Sequence, residues 1–92
     1  MPDDQAADQP SDFTRKVAAN VRAAREAKGW SQERLARKAR VHWTTISKLE
    51  RGIFNPTLIM LARLAQALDA PLADLTRDLP DPPPAPDPYA AE

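Results

Sequence analysis

The 92-residue sequence contains no cysteine and only two glycines, and each shortage excludes a kind of structural or binding site. Without cysteine there is neither a disulfide framework nor a thiolate metal site. Two glycines leave no Gly-rich phosphate-binding loop. The longest apolar run, "LIMLA" at residues 58–62, is too short to span a bilayer, and the acidic, polar start differs from a secretory signal peptide. We therefore predict one small cytoplasmic domain without a membrane segment.

Groups for catalysis and metal binding are equally scarce. His42 is the single histidine, with no second histidine or carboxylate cluster near it in the sequence, so a metal site is not expected. No nucleophile is paired with a base, and the carboxylates lie mostly at the two ends of the chain. We predict a protein that is not an enzyme and that binds no cofactor and no small-molecule ligand. His42 is expected to face a phosphate or to fill a turn.

The net charge of zero hides an uneven distribution of charge. Residues 1–12 contain four aspartates and no base, and residues 77–92 contain one arginine against four acidic residues. Between them, residues 13–76 contain twelve basic and five acidic residues. A basic domain is typical of proteins that bind nucleic acid; an ordinary solvated surface is the alternative. The first segment is predicted to be a disordered arm and the last an extended, proline-rich tail.

Helical periodicity dominates residues 13–76, and no segment alternates with the period of a strand. Gly29 supplies a C-terminal stop for the first helix, and Ser31 is a suitable N-cap for the second. Pro71 is predicted to start the fifth, since proline suits the first helical position. The predicted helices span about residues 13–28, 32–39, 43–50, 57–68 and 72–75. We therefore predict an all-α fold, a compact bundle of about five short helices.

The third and fourth predicted helices each have an apolar face. Ile46 and Leu49 face inward in the third helix together with Thr45, and the opposite side of the wheel carries Trp43, Thr44, Ser47, Lys48 and Arg51. The predicted buried residues of the fourth helix are Leu58, Leu61, Ala62, Leu64, Ala65 and Leu68. The second and third helices have the size and spacing of a helix-turn-helix, whose second helix presents its outer face to a major groove.

Three segments resemble the phage-repressor and Cro-like helix-turn-helix proteins, the XRE family. They are "VRAAREAKGWSQERLA" at residues 21–36, "TTISKLERG" at residues 44–52 and "NPTLIMLARLAQALDAPLADL" at residues 55–75. The resemblance covers roughly residues 17–75. It implies a lambda-repressor-like domain of about five helices that binds operator DNA in the major groove and acts as a dimer in transcription regulation.

The resemblance also implies roles for individual residues. It assigns base reading to Trp43, Thr44 and Lys48, with Thr45 and Ser47 secondary. It places Gln32, Arg51 and Asn55 at the DNA backbone. The residues themselves add three candidates for the same contacts: Ser31, which caps the second helix, Arg40 in the turn, and His42. Arg25 and Glu50 match a charged pair that ties the first helix to the third, so these two are expected to be structural.

Four residues, at three places in the chain, depart from the family pattern. Arg40 in the turn and Asp69 after the fourth helix stand where the family has glycine, and a left-handed backbone at another residue costs roughly 1 kcal/mol. Ile59 and Met60 stand where the family commonly has polar residues and are predicted to leave an apolar patch exposed. We interpret this patch as a dimer surface; packing against the tail or simple exposure is the alternative.

The sequence therefore predicts a sequence-specific regulator that binds double-stranded DNA as a homodimer and represses transcription. Within DNA binding, the alternative is an antitoxin or a restriction-modification controller. In a different class, the alternative is a protein-interaction module anchored by Trp43, Ile59 and Met60. DNA affinity that falls steeply with salt distinguishes DNA binding from that last alternative.

Overall fold

The computed structural model describes residues 10–91, and within them it contains five α-helices and no strand. The helices are α1 Asp12–Ala27, α2 Gln32–Ala39, α3 Trp43–Glu50, α4 Leu58–Ala67 and α5 Leu72–Leu75. The predicted all-α fold of about five helices is therefore confirmed. Among these described helices, none combines the length and apolarity that crossing a membrane requires.

The first helix begins inside the segment predicted to be a disordered arm. The Ser11 hydroxyl accepts from the Thr14 N–H at 3.1 Å, and the Ser11 N–H donates to the Thr14 hydroxyl at 3.0 Å. This is a reciprocal capping box in which threonine replaces the usual glutamate or glutamine. Residues 10–12 therefore belong to the folded domain, and residues 1–9 of the predicted arm lie outside the described residues.

One apolar core holds the five helices together. The large side chains that are completely buried are Val21, Leu35, Ile46, Leu49, Leu64 and Leu75. Partly buried side chains that pack against them include Phe13, Trp30, Phe54 and Leu79. Each large apolar side chain removed from water contributes roughly 1.5–3 kcal/mol, so this core is the main source of stability.

The fourth helix buries most, but not all, of its predicted apolar face. Leu61, Leu64 and Ala65 are buried as predicted, and so is Leu68 at the C-cap. Leu58 is 68% exposed and Ala62 is also exposed, so the prediction that these two residues are buried was wrong. Met60 and Ala67 instead flank the core on the other side of the stripe. α4 is apolar around much of its circumference, and periodicity alone therefore does not centre its buried face.

A buried amide of α1 holds the C-terminal end of the domain. Asn20 is 4% exposed, and its Nδ2 donates to the carbonyl oxygens of Leu75 at 3.1 Å and Arg77 at 3.0 Å. These bonds satisfy carbonyls at the end of α5 that no further helical turn reaches. Leu79 also packs on the core, so the folded domain extends past the predicted boundary at residue 76. The proline-rich residues 80–91 are exposed.

After α2 and after α4, a residue other than glycine has a left-handed backbone. Arg40, the C-cap of α2, has φ 58°, and Asp69, after α4, has φ 54°. Each costs roughly 1 kcal/mol relative to glycine. The fifth helix spans Leu72–Leu75 as predicted, with Pro71 as its N-cap rather than its first helical residue.

Replacing Gly52 by alanine, with Gly29 for comparison, tests how tightly the N-terminal residues pack on the domain. Both have left-handed backbone, with φ of 70° and 78°. A Cβ at Gly29 would meet nothing within 4 Å, whereas at Gly52 it would lie 3.2 Å from Pro10 Cβ and 3.3 Å from Arg15 Cγ. We expect Gly29→Ala to lower the free energy of unfolding by about 1 kcal/mol and Gly52→Ala to lower it clearly more. Urea unfolding followed by circular dichroism measures both, and equal losses would contradict this packing.

Candidate nucleic-acid interface

α2 and α3 form a helix-turn-helix joined by residues 40–42. The inner face of α3 is held in the core by Ile46 and Leu49, which are 0% and 1% exposed. Its outer face begins with Trp43, which is 48% exposed. Because one side anchors the helix, the opposite side is accessible to a ligand.

The predicted base-reading residues differ in their access to solvent. Those that are exposed are Trp43, Thr44 and Lys48, and those that are partly buried are Thr45 and Ser47. Trp43 lines a shallow groove together with Ala36 and Arg37 of α2. Its ring therefore extends the outer surface of α3 toward α2, and the exposed set offers an apolar face, a hydroxyl and a cation.

Most of the predicted backbone-contact residues are also on the surface. The exposed ones are Ser31, Arg40, His42, Arg51 and Asn55. The Ser31 hydroxyl caps α2 by accepting from the Arg34 N–H at 3.1 Å. The N–H groups of Gln32 and Glu33 precede the first intrahelical bond of α2, and such groups at a helix start can bind an anion.

His42 is the N-cap of α3, a role that the sequence did not indicate. Its Nδ1 accepts from the Thr44 N–H at 3.1 Å and lies 2.8 Å from Thr44 Oγ1. Serine, threonine, aspartate and asparagine dominate at N-caps, so composition rules do not point to histidine. The only available signal was its position immediately before the predicted helix.

Glu50, the last residue of α3, is the centre of a buried polar cluster. Its side chain is 0% exposed, and Arg25 of α1 binds it twice, from Nε to Oε2 at 2.7 Å and from Nη2 to Oε1 at 2.9 Å. Arg22 of α1 donates to Oε1 at 3.4 Å and to the Glu50 carbonyl at 3.2 Å. Gln32 of α2 donates from Nε2 to Oε1 at 3.1 Å. The cluster therefore joins α1, α2 and α3.

The Glu50 cluster also affects Gln32, the residue that the resemblance assigns to a phosphate. One hydrogen of its amide nitrogen is used within the protein by the bond to Glu50. An amide nitrogen carries two hydrogens, so the second remains available to a ligand. Gln32 is partly buried, unlike the other backbone-contact candidates.

The pKa of Glu50 is set by two opposing effects. Burial acts to raise the pKa of this carboxyl, but hydrogen bonds from Arg25, Gln32 and Arg22 outweigh burial and hold the pKa below its ordinary value. The hydrogen bond to Glu50 in turn raises the pKa of Arg25. Both groups are charged at neutral pH and engage each other rather than a ligand.

In residues 10–91, no three His, Cys, Asp or Glu side chains form a group that could hold a metal ion.

Known proteins match this chain across the helix-turn-helix. A family model described as helix-turn-helix matches residues 21–75, which is more than half of the 92 residues. A hypothetical transcription factor of Neisseria meningitidis is 38% identical over 68 residues, a match that spans 74% of this chain and 58% of the relative.

Solved structures show the same architecture. The crystal structure of a hypothetical transcription factor from Neisseria has a TM-score of 0.70 at 36% identity, covering 72% of this chain and 76% of that chain. The restriction-modification controller protein C.AhdI from Aeromonas hydrophila has a TM-score of 0.66 at 35% identity, covering 67% of this chain and 94% of that chain. Both are similar to this chain in sequence as well as in fold.

Replacing Glu50 tests the buried cluster. We expect Glu50→Gln to lower the free energy of unfolding by about 3 kcal/mol at neutral pH, because it leaves the largely buried Arg25 without its counter-charge. The folded-state pKa of Glu50 lies below the unfolded value of about 4.3. Its stabilisation is therefore complete above that pH and is lost as the pH falls through the lower folded-state pKa. Urea unfolding at several pH values should show the gap between wild type and variant closing in acid.

The matched control for this variant is Glu33→Gln. Glu33 pairs with Arg37 at 3.5 Å, but their side chains are 62% and 80% exposed. An exposed pair contributes at most about 1 kcal/mol, so this variant should unfold almost like the wild type. A gap for Glu50→Gln that stays constant down to acid pH would contradict the lowered pKa.

Proposed function

Because this chain belongs to the helix-turn-helix family of transcriptional regulators, we propose that it binds specific sequences of double-stranded DNA and represses transcription. The observation that carries the proposal is the division of α3 into a buried face at Ile46 and Leu49 and an exposed start at residues 42–44, where two polar side chains flank Trp43. A helix anchored in this way fits the major groove, which is about 12 Å wide. The family points to a regulator and not to an enzyme.

Base reading is assigned to the three exposed side chains of α3. Trp43 presents an apolar face to a thymine methyl or a sugar, and Thr44 presents a hydroxyl and a methyl group. Lys48, about one turn further along, donates to guanine O6 and N7 or to a phosphate. Thr45 and Ser47 are secondary because they are partly buried.

Backbone contacts would fix the position of α3 in the groove. At the start of α2 they come from the N–H groups of the turn capped by Ser31 and from the free amide hydrogen of Gln32. The remaining candidates are Arg40, His42, Arg51 and Asn55. Since each phosphate contact releases counterions, the affinity should fall steeply with salt.

A homodimer is proposed on the basis of the exposed apolar start of α4. Leu58 is 68% and Ile59 is 65% exposed, and adjacent exposed apolar residues mark interaction surfaces. Met60, the other residue predicted at the dimer surface, packs partly against the core. We therefore centre this surface on Leu58 and Ile59, with Met60 at its edge. A two-fold axis would place the two copies of α3 in half-sites roughly 34 Å apart.

A restriction-modification controller is the second candidate function, since C.AhdI is similar to this chain over 94% of its own length. A controller and an ordinary repressor would use the same DNA contacts. They differ in the genes that carry the operator. Mapping sequences selected from random DNA onto the genome distinguishes the two, because a controller's operator should adjoin restriction or methyltransferase genes.

Three variants separate base contacts from backbone contacts. Trp43→Ala should relax base preference, and Gln32→Ala should weaken binding to selected and random duplexes about equally, roughly tenfold. Arg77→Ala removes an exposed cation beyond α5, at a residue assigned to neither set of contacts, and should change neither property. Fluorescence anisotropy at several salt concentrations measures all three. If the first two variants bind both duplexes as the wild type does, the assignment of the interface is wrong.

The dimer surface is tested by Leu58→Ser combined with Ile59→Ser. Both side chains are exposed, so the fold should survive while the mass measured by light scattering falls from dimer to monomer. Ala73→Ser, at an exposed position of α5, should remain dimeric. A double variant that stays dimeric, or a wild-type chain that is monomeric at all concentrations, would exclude this surface.

A further inference from the structure

His42 and Thr44 form a hydrogen-bonded pair at the exposed start of α3. The Thr44 N–H donates to His42 Nδ1 at 3.1 Å, and the Thr44 hydroxyl oxygen lies 2.8 Å from the same nitrogen. Both residues are exposed. The pair therefore lies on the surface that the proposed function directs into the major groove.

The backbone bond determines which ring nitrogen carries the proton. A backbone N–H is always a donor, so a nitrogen that it approaches must present a lone pair. A proton on Nδ1, in the other neutral tautomer or in the imidazolium, would point against the Thr44 N–H. The proton of the neutral ring therefore sits on Nε2, where it remains a donor for a phosphate. An oxygen lone pair facing the Nδ1 lone pair at 2.8 Å would be repulsive, so the Thr44 hydroxyl donates in this contact and shares the single Nδ1 lone pair with the Thr44 N–H.

This polarity limits what Thr44 can recognise. A hydroxyl has one hydrogen, and here it is directed at His42, so the oxygen offers only its lone pairs to a ligand. In the major groove, the donors are the N6 amino group of adenine and the N4 amino group of cytosine. Guanine O6 and N7, adenine N7 and thymine O4 are all acceptors.

We infer that His42 makes Thr44 an acceptor-only reader of base edges, one that selects the amino group of adenine or cytosine. His42 is thus a positioning residue for specificity, in addition to capping the helix. The inference rests on the proposed DNA binding. Turning the hydroxyl hydrogen toward a guanine or thymine oxygen would break the bond to the ring, and the net value of one such bond corresponds to a discrimination of about fivefold.

The tautomer is measured first, on the full chain without DNA. Nitrogen-15 NMR in mildly alkaline buffer distinguishes the protonated from the unprotonated ring nitrogen. We expect the proton on Nε2. A proton on Nδ1 would overturn the inference independently of any DNA measurement.

The base preference is measured next, by selecting sites from random duplexes with the wild type and with Thr44→Val. Valine keeps the shape and methyl contact but lacks the hydroxyl. At the base pair where the two proteins differ in preference, base analogues then replace the natural bases. Deleting only the amino group of adenine or cytosine should weaken wild-type binding about fivefold and leave Thr44→Val unaffected. Deleting only the N7 acceptor of the purine should affect the two proteins equally.

His42→Ala tests the positioning role. Without the ring, the Thr44 hydroxyl is free to donate, so preference at this base pair should broaden to bases that present an acceptor. The readout is the breadth of preference and not the affinity, which loss of the helix cap also lowers. Unchanged preference in this variant would contradict the role of His42.

The outcomes separate the inference from the proposed function. If wild-type binding depends on the purine N7 at this pair and not on the amino group, the inference is overturned. The proposed DNA binding is not affected by that result. A chain that selects no DNA sequence contradicts both.

Discussion

The buried carboxylate of Glu50 is the interaction on which the arrangement of the first three helices depends. It ends α3 and accepts hydrogen bonds from Arg25 on α1 and Gln32 on α2. A buried carboxylate without partners costs several kcal/mol, so a packing of these helices that separates the donors from Glu50 is strongly disfavoured. Apolar side chains tolerate many arrangements of similar volume. The polar cluster therefore favours the packing that keeps these donors on Glu50.

The same cluster supports the proposed interface. α3 is fixed at its C-terminal end by Glu50 and along its inner face by Ile46 and Leu49. Its N-terminal end is capped by the exposed ring of His42. The side chains proposed to contact DNA thus emerge from a helix that is held in place before binding, and a preorganised helix loses less entropy when it binds. Gln32 takes part in both the buried cluster and the proposed interface, since it binds Glu50 and lies at the start of α2.

The turn and the fourth helix show how the domain tolerates unfavourable local features. Arg40 holds a left-handed backbone at the end of α2, and its cost of roughly 1 kcal/mol is offset by the core that α2 and α3 share. α4 packs Met60 beside the core and leaves Leu58 and Ile59 in solvent. The domain does not bury the apolar residues at the start of α4, and this exposed surface suggests that a second copy of the chain binds there.

By itself, the sequence determined the five helices of residues 10–91, most of their ends, the family and the outward face of α3. These features are local: caps such as Ser31 act over one turn, and Ile46 and Leu49 leave α3 a single inward direction. Only the tertiary structure decided that α4 turns Leu58 and Ala62 outward, because α4 is apolar on more than one side. It also decided that Asn20 binds carbonyls 55 and 57 residues away and that the His42 ring caps α3. Such bonds depend on distant partners or on one side-chain rotamer, and neither leaves a periodic pattern in the sequence.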